Sequence, residues 1–137
     1  LRPRAATASP SPRILRRPKR STALPELDLV ALVCDAAEER KGEDIVVLDL
    51  AGRTIVADAF VLVTGRSVIQ TRALADGIVL RAEEAGLRPR LEGHADGGWV
   101  LIDLGSVVAH VFTPEQRQFY NLERLWGRVA EARAEAR

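Results

Sequence analysis

The stretch that decides the fold reads Trp99-Val100-Leu101-Ile102-Asp103-Leu104-Gly105-Ser106-Val107-Val108-Ala109-His110-Val111-Phe112. Two runs rich in β-branched and aromatic residues flank a glycine, which predicts strands over 99–103 and 106–112 joined by a tight turn. With Leu104 and Gly105 as the loop residues, Asp103 faces Ser106, Ile102 faces Val107, Leu101 faces Val108, Val100 faces Ala109 and Trp99 faces His110. Strand side chains alternate between faces, and residues opposite one another share a face. One face then holds Val100, Ile102, Val107, Ala109 and Val111; it is aliphatic and belongs to a core. The other mixes Trp99, Leu101, Asp103, Ser106, Val108, His110 and Phe112. Aromatic anchors beside polar groups suit a protein interface. The competing reading is that a helix covers this face and His110 is a structural histidine.

Upstream, Asp28 is placed to cap a helix in which Leu29, Leu32, Val33, Ala36, Ala37 and Arg40 follow helical spacing, with Gly42 as its stop. Cys34 lies on or beside that apolar stripe. Ile45–Leu50 and Phe60–Thr64 read as buried strands, with a turn at Ala51-Gly52-Arg53. A helix follows from Ser67 to about Ala85, stopped by Gly86, with Ile69, Ala73, Leu74, Ile78, Val79 and Ala82 as its apolar positions. Arg88-Pro89-Arg90 opens an extended segment. After the hairpin, Thr113 caps a helix beginning at Pro114, with Gln116 at the capping-box position. The order helix, strand, strand, helix, extended segment, hairpin, helix predicts an α/β fold with a mixed β-sheet flanked by helices.

Charge divides the chain. Residues 1–25 hold seven basic residues, no acid and five of the seven prolines, without an apolar period. They read as a disordered basic tail, with three alternatives: a transit peptide, a weak contact with RNA through its cations, or an upstream extension. The remaining 112 residues hold 13 basic against 19 acidic residues, a net of −6. An acidic body suits a basic protein partner better than direct grip on a nucleic-acid backbone. Residues 26–128 form the folded domain and 129–137 a helix end or frayed tail. The apolar runs are far shorter than the roughly 20 residues a membrane helix needs. One cysteine permits no internal disulfide and is consistent with a reducing compartment. Cys34, His94 and His110 are a poor basis for a metal site.

Thr64-Gly65-Arg66-Ser67, between a strand and a helix, invites comparison with nucleotidyltransferases, where such a turn holds phosphate and paired carboxylates hold two metals. Asp103 is present, but the positions two residues away are Leu101 and Gly105. An acid–base pair of Asp103 and His110 would lack a nucleophile with a fitted base. No phosphate-binding or dinucleotide fingerprint occurs. A binding protein is therefore the leading reading, and a metal-dependent nucleotidyltransferase-like enzyme the alternative.

The ordered motifs Ile45-Val46-Val47-Leu48-Asp49, Ala57-Asp58-Ala59-Phe60-Val61, Thr64-Gly65 with Ser67, Glu92-Gly93, Trp99–Asp103, Gly105, His110-Val111-Phe112, Arg117, Phe119-Tyr120, Leu122-Glu123 and Leu125-Trp126 together resemble the Iojap, or ribosomal silencing factor, family over about residues 28–127. The sequence departs from the family pattern at Ala57 and Ala59, at Leu104 and Ser106 beside the hairpin glycine, and at Arg66. The resemblance implies a nucleotidyltransferase-like fold without the catalytic acid pair, no cofactor, no small-molecule substrate and no membrane. It also implies a cytoplasmic protein, or an organellar one if residues 1–25 are a transit peptide. The implied partner is ribosomal protein fourteen of the large subunit. A domain bound there blocks small-subunit joining and represses translation under nutrient limitation, with a further role in large-subunit maturation. On the mixed hairpin face, Trp99, Leu101, Asp103, Val108 and His110 are the expected contacts, with Asp58, Glu92 and Tyr120 next.

Overall fold

A computed structural model describes residues 28–126. The expectations for the basic tail, for a transit peptide or RNA contact within it, and for residues 129–137 lie outside the described residues. Helix α1 (Leu29–Glu39) starts where Asp28 accepts a hydrogen bond from the Ala31 N–H at 3.1 Å. Strand β1 (Glu43–Asp49) and strand β2 (Ala59–Thr64) follow, then helix α2 (Val68–Glu84). Strands β3 (Arg90–Glu92), β4 (Trp99–Asp103) and β5 (Val107–Phe112) precede helix α3 (Pro114–Tyr120). Residues 122–126 are again helical. Among the described residues no helix is long and apolar enough to cross a membrane.

The five strands form one sheet in the order β1-β2-β5-β4-β3. Only β2 and β5 pair in parallel; the other neighbours are antiparallel. The expected mixed sheet flanked by helices is therefore the observed architecture. Helices α1 and α2 cover one face, where Leu32, Val33, Cys34, Leu74 and Ile78 pack on Val61, Val63, Val100, Ile102, Ala109 and Val111. All five residues assigned to the aliphatic hairpin face are buried there.

Three sequence expectations need correction. The hairpin turns one residue later than expected: Trp99 pairs with Phe112, Leu101 with His110 and Asp103 with Val108. Gly105 and Ser106 are the loop residues, and the Leu104 N–H donates to the Val107 carbonyl. Gly105 takes φ +98, as a two-residue turn with glycine first requires. The correction moves each partner by two positions, so the faces survive because the side-chain period is also two. Second, Gly42 does not supply the left-handed residue after α1; Lys41 does, at φ 65. Gly42 is instead pressed against β2, where an added Cβ would lie 2.6 Å from Val63 Cγ1. Third, Ile69 is 78 % exposed. The buried stripe of α2 runs through Thr71, Leu74, Ala75, Ile78 and Ala82, a cleaner 3.6-residue period than one including Ile69.

Candidate functional site

The second face of the sheet is divided between a covered half and an open half. Towards β1, Val46, Leu48, Phe60, Leu62, Val108 and Phe112 form a second apolar cluster closed by Leu122, with Trp126 packed against it. Towards β3 no element among the described residues provides such cover. Trp99, Leu101 and Asp103 are half-buried and Glu92 is exposed. Glu92 pairs with Leu101, so the two stand side by side on this open half.

Rings join the halves. Trp99 stacks on Phe112 at 5.3 Å and 28°, and Tyr120 leans on Trp99 at 4.6 Å. Phe119 meets Tyr120 edge-on, while Phe60 contacts His110 at 4.6 Å and Trp126 at 5.1 Å. Phe119 and Tyr120 are 77 % and 46 % exposed, and Leu125 is 59 % exposed.

The expected contact residues thus fall into three groups. Trp99, Leu101, Asp103, Glu92 and Tyr120 line the open half. Asp58 is exposed at the end of the sheet beside the hairpin turn, where its N–H donates to the Ser106 carbonyl at 2.7 Å. Val108 and His110 are buried, at 7 % and 4 % exposure, and offer a partner no surface in this conformation. Asp103 has a turn-forming role, accepting a 2.8 Å hydrogen bond from the Gly105 N–H. Among the described residues no group of three or more His, Cys, Asp or Glu side chains is placed to hold a metal ion.

Burial lowers the His110 imidazole from its ordinary 6.5 to about 4, because a charged ring would lose its hydration there. Between these values the unfolded chain binds the proton and the folded one resists it. The contribution to stability is full above about pH 6.5 and is lost as the pH falls towards 4. It amounts to up to about 3 kcal/mol. Denaturant unfolding across that window should show the decline, and His110→Leu should flatten it. An unchanged slope in the variant would contradict the assignment.

The residue that sequence reading undervalued is Arg117. Its Nη1 donates to the Asp44 carbonyl and to Thr64 Oγ1, both at 2.7 Å, while Nε and Nη2 grip the Glu123 carboxylate at 3.0 Å each. Asp44 sits at φ 50 in the irregular start of β1, where the register against β2 shifts. One guanidinium therefore joins β1, β2, α3 and residues 122–126 across the left-handed joint at Asn121. Only the order Arg117…Leu122-Glu123…Trp126 hints at this in the sequence. The fork geometry is specific to arginine. Arg117→Ala is expected to cost roughly 2–3 kcal/mol in denaturant unfolding, with Arg117→Lys recovering little. A loss below about 0.5 kcal/mol, the size of an ordinary surface change, would refute the clamp.

A family model described as "Ribosomal silencing factor during starvation" matches residues 23–137. The chain belongs to the ribosomal silencing factor family. Ribosomal silencing factor RsfS of Halalkalibacterium halodurans is 43 % identical over 101 residues, covering 73 % of this chain and 86 % of the relative. The crystal structure of protein CV0518 from Chromobacterium violaceum superposes with a TM-score of 0.71 at 40 % identity, covering 72 % of this chain and 83 % of that one. A more distant family relative, "Mitochondrial assembly of ribosomal large subunit protein 1" of Mus musculus, is 27 % identical over 101 residues, covering 71 % of this chain and 44 % of the relative. These names describe a regulatory or assembly role, not an enzymatic one.

Proposed function

We propose that this chain binds the large ribosomal subunit through ribosomal protein fourteen, prevents the small subunit from joining and so represses translation when nutrients are short. The observation that carries the reading is the family match over residues 23–137, whose description names silencing during starvation. The mouse relative's name supports the large subunit as the target and a role in its maturation. The open half of the second sheet face supplies the docking surface, with Trp99, Leu101 and Tyr120 as apolar anchors and Asp58, Glu92 and Asp103 as flanking carboxylates. The net of −6 outside the basic tail favours a basic protein surface. The mechanism is steric occlusion and needs no cofactor or small-molecule substrate. In a bacterial cell the protein acts in the cytoplasm.

The test is sedimentation with purified ribosomal subunits. The chain is expected to travel with large subunits and to lower the yield of joined ribosomes as its concentration rises. Failure to co-sediment would overturn the reading. Metal-dependent nucleotide transfer abolished by Asp103→Ala would replace it with the enzymatic alternative.

A further inference from the structure

His110 is an unexpected residue for a core. It is 4 % exposed, it lies among Phe60, Trp99 and Phe112, and its buried Nε2 has no hydrogen-bond partner among the described residues. Its other ring nitrogen, Nδ1, receives the Trp99 indole N–H at 3.1 Å. An indole nitrogen can only donate, so Nδ1 must be the unprotonated acceptor. The neutral ring then carries its proton on Nε2, the atom with no partner. A buried donor left unpaired is costly, and a phenylalanine or leucine would fill the space without that cost. Apolar packing alone therefore does not account for a histidine here. Its gain is directed at Trp99.

Stacking on Phe112 and contact with Tyr120 fix the plane of the Trp99 indole. Stacking alone does not distinguish this orientation from the one reached by a half-turn about the Cβ–Cγ bond, which keeps the plane and exchanges the ring edges. The hydrogen bond to Nδ1 does, by holding the nitrogen edge against His110. We infer that His110 is a positioning residue, which orients the Trp99 indole on the partner-binding face without itself touching the partner. The inference rests on the docking surface proposed above and assigns the orientation of its largest anchor.

The experiment uses the full chain labelled with nitrogen-15, and Trp99→Phe identifies the Trp99 indole resonance. Long-range proton–nitrogen spectra are expected to show His110 protonated at Nε2. Exchange of the Trp99 indole proton with solvent is expected to accelerate roughly tenfold or more in His110→Phe, with melting not lowered. His110→Leu serves if the larger ring does not fit. His110→Asn places a carbonyl oxygen the same number of bonds from the backbone as Nδ1, and should restore slow exchange. Binding to purified large subunits should weaken roughly fivefold in the apolar variants and recover in His110→Asn, a change of about 1 kcal/mol. A proton on Nδ1, or indole exchange indifferent to the substitutions, would overturn the positioning role. So would wild-type binding that no His110 substitution alters. Absence of wild-type binding would instead sink the docking reading, and the exchange data would still decide whether His110 orients Trp99.

Discussion

Replacing Ile102 with alanine is expected to lower the unfolding free energy by about 2–5 kcal/mol while leaving the docking surface intact. Ile102 has no exposed surface and pairs with Leu91 on one side and Ala109 on the other. It belongs to the cluster beneath α1 and α2, facing away from Trp99 and Leu101. Truncation removes the transfer free energy of three carbons and leaves a cavity whose walls are two helices and a sheet. Those walls are held by independent contacts, so little collapse can fill the gap. Whole domains are stable by only about 5–15 kcal/mol. The variant should therefore melt well below the parent in calorimetry. Its folded fraction should still sediment with large subunits at parental affinity. A loss under about 1 kcal/mol would mean that the hairpin face has been assigned to the wrong side.

The second large effect is on binding. Trp99→Ala should weaken association with large subunits by roughly 30-fold, the consequence of losing about 2 kcal/mol at a central aromatic anchor. Trp99 is half-buried, so part of its surface is available to a partner and part supports Phe112 and Tyr120. The substitution should thus also lower the melting temperature. The two consequences separate if binding is measured where the variant remains fully folded, and Trp99→Phe should keep most of the stability with less of the affinity. A folded Trp99→Ala protein with unchanged affinity would remove Trp99 from the interface. It would leave the family assignment untouched.

These contrasting outcomes rest on a distinction already legible in the sequence. Alternation along 99–103 and 107–112 separates Ile102 from Trp99 whatever the turn, because a register correction of two residues preserves both faces. Two helix caps were equally legible, since Asp28 and Thr113 each accept from the N–H three residues on; Ser67, read as the first residue of its helix, turns out to cap it in the same way. Such local chemistry acts over a few bonds and needs no knowledge of distant partners. The ordered motifs from Ile45 to Trp126 likewise sufficed to mark the family.

Tertiary structure decided which parts of the mixed face remain open. No periodicity within β5 reveals that Leu122 and Trp126 close the cluster holding Val108 and Phe112, or that Phe60, Trp99 and Phe112 surround His110, while Trp99 and Leu101 stay half-buried. That return depends on Arg117, whose hydrogen-bond partners Asp44 and Thr64 lie 73 and 53 residues away in the chain. The Trp99–His110 bond is likewise a diagonal contact, fixed by the one-residue placement of a glycine turn. The elements, their apolar sides and the family could be read from residue order alone, because they follow from short-range geometry. Exposure and orientation on the candidate binding face came only from the fold, because they depend on which distant segment occupies the space above each side chain.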